Sequence, residues 1–78
     1  MYEKIVSDRI ADEITQLAYS KAKNIEIYIS VVINHGMCTI NAQTNAKLRA
    51  EEISDIVHKY AGRVVIRYYQ SKLNNPKI

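Results

Sequence analysis

Tryptophan and phenylalanine are absent, and cysteine and proline occur once each. Cys38 has no second cysteine to pair with, so no disulfide staples the chain internally. No Cys-x-x-Cys pair exists, and His35 and His58 stand apart, which excludes the usual spacing of a zinc site. No apolar run approaches the length of a membrane span. Met1-Tyr2-Glu3-Lys4-Ile5 reaches charged residues at once, without the apolar stretch of a signal peptide. These absences predict a soluble cytoplasmic protein that does not engage a membrane. Glycine occurs only at positions 36 and 62, so only two places favour a positive φ strongly.

The chain has 78 residues. That length supports one domain with a thin core, and domains of this size commonly lean on a disulfide, a metal or a partner subunit. With the first two absent, a partner subunit is expected, as a homodimer or larger homo-oligomer, with room for a second protein. The net charge is +3 and the lysines and arginines are scattered along the chain. Scattered charge suits a solvated surface better than a polyanion groove.

Ile10, Ile14, Leu17 and Lys21 recur on one helical stripe, which predicts a helix over Ser7–Lys23, with an earlier start open because Tyr2 to Val6 contains no breaker. Ser7 suits its N-cap, Asp8 its first turn, and Lys21, Lys23 and Asn24 its end. From Asn24 to Asn34, isoleucine and valine alternate without a break, which predicts a strand. Asn34-His35-Gly36 is a tight-turn signal, and Met37 to about Thr44 forms the returning strand of a hairpin. A second helix is expected from Ala50 to Tyr60, with Ile53, Ile56, Val57 and Tyr60 inward and Gly62 as its stop. Arg63 to Gln70 reads as a third strand, in which either face could be the buried one. The chain beyond it, with Asn74-Asn75-Pro76, is expected to be loose. The domain is taken as residues 1–72, with 73–78 as the tail.

The fold class is therefore α/β of the α+β kind. Its order is α-β-β-α-β, with two helices on one face of a three-stranded, mainly antiparallel sheet. The opposite face has no layer to cover it. Tyr28, Val32, Met37 and Tyr69 fall there, and such a patch on a small domain marks an interface.

Ser7-Asp8-Arg9-Ile10-Ala11-Asp12-Glu13-Ile14 resembles the start of the first helix of S-adenosylmethionine synthetase, Pro-Asp-Lys-Ile-Ala-Asp-Gln-Ile. Gly36-Met37 is similar to the family's Thr-Gly-Met turn, and Glu51-Glu52-Ile53 opens the second helix as in that family. The similarity spans about residues 6 to 62 of this chain and falls in the family's N-terminal region. The resemblance implies Asp8 as a magnesium ligand. It also implies departures. The family's ATP-contacting His is Val6 here, its Pro is Ser7, its Lys is Arg9, and its metal-binding strand Glu aligns with Ser30. The family's later domains have no counterpart. Phosphate chemistry needs several converging cations and donors, so the chain is expected not to be an enzyme on its own. Magnesium and ATP would enter only if a partner chain completed a split synthetase.

The leading expectation is a non-catalytic assembly domain, a stand-alone relative of the synthetase N-terminal domain that self-associates through its open sheet face. The alternative is a nucleic-acid-binding module using Arg63, Arg67 and Tyr69, since tyrosines stack bases and arginines pair phosphates. It lacks the Gly-x-x-Gly loop of a KH domain and the aromatic signature of an RRM. Cys38 on an apolar strand reads as an inert thiol. Asp12 and Glu13 read as solvent-facing helix residues, and neither histidine has a nucleophile at a diagnostic spacing.

Overall fold

The computed structural model describes residues 2–73. Its elements are α1 (Tyr2–Tyr19), β1 (Ile27–Asn34), β2 (Met37–Thr44), α2 (Ala50–Ala61) and β3 (Val65–Lys72). The α-β-β-α-β order and the α+β class are those expected. The sheet runs β1-β2-β3 with β2 central. β1 and β2 pair antiparallel, and β2 and β3 pair parallel. The parallel pair follows from the connection: α2 carries the chain back across the sheet before β3 begins.

The core lies between the helices and one sheet face. Val6, Ile10, Ile14 and Ala18, four residues apart, form the buried stripe of α1. Val6, Ile10 and Ile14 meet Cys38 and Ile40 of β2 and Ile53 and Val57 of α2. The partly buried Ile27, Ile29, Val31 and Ile33 of β1, and Ile66 and Tyr68 of β3, complete it. Ile40 is fully buried at the middle of the central strand. Burying a side chain of that size contributes about 1.5–3 kcal/mol.

α1 departs from the expected Ser7–Lys23 at both ends. It starts before Ser7, where no residue breaks the helix. Ser7 is not a cap: it is buried, and its Oγ donates to the Lys4 carbonyl at 3.0 Å. Asp8 is therefore not in the first turn. The helix stops at Tyr19 because Ser20 closes it. Ser20 Oγ takes the Leu17 carbonyl at 2.7 Å, and Lys21 N tightens onto Ala18 O at 3.1 Å. Lys21 thus leaves the helix and pairs with Glu52 of α2 at 2.6 Å.

β1 begins at Ile27 rather than Asn24. Asn24 has φ 60°, and the Asn45 side chain takes the place of a strand there. It accepts from Glu26 N at 2.9 Å and donates to Asn24 O at 3.1 Å. The β1–β2 turn has φ 50° at His35 and 73° at Gly36, the two positive values of a type I′ hairpin. α2 ends as expected, with Gly62 at φ 72° and its N–H on His58 O at 3.2 Å. β3 lies two residues later than expected. Val65 N donates to Gly36 O at 3.0 Å, which sets Val65 beside Met37. Since β2 runs to Thr44, its partner continues to Lys72. Ser71 and Lys72 are thus strand residues, and residues 74–78 of the expected tail lie outside those described.

Candidate interface on the open sheet face

The face of the sheet away from the helices carries four side chains from each strand. Pairing arranges them in rows across β1, β2 and β3. One row is Tyr28, Gln43 and Ser71, and the next is Ser30, Asn41 and Tyr69. Then come Val32, Thr39 and Arg67, and last Asn34, Met37 and Val65. The four expected interface residues, Tyr28, Val32, Met37 and Tyr69, all fall on this face. Val65 belongs with them. Its signal was its parity with Tyr69, four positions on, legible only once the buried face of β3 is known.

Tyr28 is 63% exposed, Val32 54%, Val65 60% and Tyr69 53%. These are large apolar surfaces on one face rather than scattered residues. A shallow groove runs between the two tyrosines, floored by Ser30, Asn41 and Gln43. Arg67 is the single charged side chain among those twelve, four from each of three strands.

The ionic contacts among the described residues lie on the helices and the loops beside them. Glu13 accepts from Lys59 Nζ at 2.8 Å and from the Tyr60 hydroxyl, which joins α1 to α2. Those bonds hold the Glu13 carboxyl below its ordinary range and the Lys59 amine above its own. Glu52 accepts from Lys21 Nζ and, at 3.0 Å, from the Arg49 backbone N–H, and its carboxyl is likewise lowered. Burial pushes the Cys38 thiol up, away from the reactive thiolate.

The remaining candidate residues do not converge. Asp8 is exposed on α1 and pairs with Lys4 at 3.4 Å. Ser30 is on the open face, so the two positions that the synthetase resemblance would bring to one metal lie on opposite sides of the sheet. Among the described residues no group of three or more metal-ligating side chains occurs. Arg67 and Tyr69 share the open face. Arg63 precedes β3 and lines a depression with Gly36 and His58 at the hairpin-turn end. Among the described residues no helix is long and apolar enough to cross a membrane. No protein-family model, curated protein or solved structure matches this chain.

Proposed function

We propose that this chain is a non-catalytic assembly domain that self-associates through the open face of its sheet. The observation that carries the reading is the composition of that face: two tyrosines, two valines, a methionine, hydroxyls, amides and one charge. Aromatic and methionine side chains with few charges distinguish interface centres from ordinary surface. Hydroxyl and amide groups also both donate and accept, so each can pair with a copy of itself. Derivation from the synthetase N-terminal domain is part of the proposal, supported by the motif match over α1 and by the order of elements. The separation of Asp8 from Ser30 supports a role without catalysis.

The nucleic-acid alternative gains Arg67 and Tyr69 on one face. A polyanion groove needs several cations along it, and this face offers one. Self-association is therefore the better-supported reading.

Sedimentation equilibrium tests it. The wild-type chain is expected above monomer mass, and Asn41→Lys, at the centre of the face, is expected to lower that mass. An unchanged mass in Asn41→Lys would reject the face as the contact.

A further inference from the structure

We propose that the occupant of the open face is a second copy related by a two-fold axis parallel to β2, with Tyr69 seated over the partner's Ser30 and Tyr28 over the partner's Ser71. This rests on the preceding reading and adds the register.

The inference comes from the pattern of large and small side chains in the two rows beside the groove. In one row the large residue, Tyr28, is on β1 and the small one, Ser71, is on β3. In the next row the order reverses: Ser30 is on β1 and Tyr69 on β3. The tyrosines therefore occupy one diagonal of a square and the serines the other, with Gln43 and Asn41 between them. A two-fold along the central strand keeps each row in place and exchanges β1 with β3. Every tyrosine then meets a serine, and each amide meets its own copy. Packed faces require such matching of bumps and hollows to reach interior density.

The same operation suits the rest of the face. Arg67 comes over the partner's Val32, and Met37 meets the partner's Met37, an adaptable thioether contact. The two Arg67 side chains start from opposite edges of opposed sheets. From ordinary strand and sheet spacings their backbones are about 14 Å apart, and each guanidinium can turn outward to solvent at its own edge. All four rows overlap.

A two-fold running across the strands does worse. Centred between the tyrosine rows it sets Tyr28 over the partner's Ser30, but the other two rows run past the sheet. Centred on the whole face it sets Tyr69 over the partner's Arg67 and Tyr28 over the partner's Asn34, so neither tyrosine meets a serine.

Size-swap variants decide the register, read by sedimentation equilibrium. All substituted side chains face away from the core, and circular dichroism checks that each variant is folded. Ser30→Tyr should weaken self-association about tenfold or more by overpacking. Adding Tyr69→Ser should restore it, since large again meets small. Rescue by Tyr28→Ser instead would overturn the axis while keeping the open face as the contact. Rescue by neither would also overturn the register. If Ser30→Tyr changed nothing, or if the wild-type chain were monomeric at high concentration, both the register and the self-association reading would fall.

Discussion

Tyr28 and Tyr69 stand diagonally across the central strand, one on each edge strand and one row apart, with Asn41 and Gln43 between them. Neither ring reaches the core, and each leaves more than half its surface open. Two aromatic side chains placed symmetrically about a nearly uncharged strip are costly to leave in water unless something covers them. The same face is the place to perturb assembly without perturbing the fold.

Tyr28→Glu together with Val32→Lys should therefore give a chain of monomer mass. Both side chains point away from the helices, so the far-ultraviolet dichroism should stay native. Sedimentation equilibrium reads the mass. A double variant that still associates with wild-type affinity would place the contact elsewhere.

Ile40 tests the opposite face. It is fully buried where both helices meet the sheet. Ile40→Ala removes methyl groups and leaves a cavity that a thin core has little means to close, at a cost of about 2–5 kcal/mol. Urea denaturation measures it. A loss under about 1 kcal/mol would mean that the core is not centred on β2.

Much of this architecture could be read in the residues. The alternation in Ile27 to Ile33, the Asn34-His35-Gly36 turn and the Gly62 stop each have one dominant local cause, and each is observed. The misplacements share a different origin. α1 ends at Tyr19 because the Ser20 hydroxyl donates to Leu17 O, and no periodicity reports that. β3 slid by two residues because its limits are inherited from β2 through the Val65–Gly36 bond. Val64, Ile66 and Tyr68 compete with Val65, Arg67 and Tyr69 as an inward face, and only the pairing register chooses between them. The outward side of Tyr28, Val32 and Met37 was legible from alternation within the hairpin, whereas that of Tyr69 waited on the register. The square of tyrosines and serines was not legible, because it depends on three strands at once.

Thr44 should be a polar residue that the fold cannot easily lose. It is 2% exposed, and its hydroxyl serves two backbone groups. Oγ1 donates to Glu26 O at 2.7 Å and accepts from Ala46 N at 3.0 Å. Thr44→Val keeps the shape but strands both groups, which should cost about 1–3 kcal/mol. Thr44→Ser, which keeps the hydroxyl, should lose less. Equal losses in the two variants, measured by denaturant unfolding, would show that packing of the methyl group governs the site.

The last prediction concerns acid. Glu52 bonds to Lys21 Nζ and to the backbone N–H of Arg49, at the start of α2 where an anion is also favoured by the helix dipole. Each of these interactions prefers the ionised carboxylate, so its folded pKa lies below the ordinary 4.5. A group whose pKa falls on folding stabilises the fold above its unfolded pKa. That contribution disappears as pH drops through the folded value. Glu13, held down by Lys59 and Tyr60, acts in the same direction. Lys59 is the mirror case: its raised pKa gives stability that is complete below the ordinary 10.5 and lost as pH climbs through the folded value. Wild-type melting temperature should therefore fall as pH is lowered below about 5. Glu52→Gln should start lower at neutral pH and fall less steeply, because the variant has no proton to gain at that position. Melting curves recorded across the acid range compare the two slopes. Parallel slopes would mean that Glu52 makes the same contacts in the unfolded chain or none in the folded one, and the Lys21–Glu52 bridge would then have no part in holding the α1 end against α2.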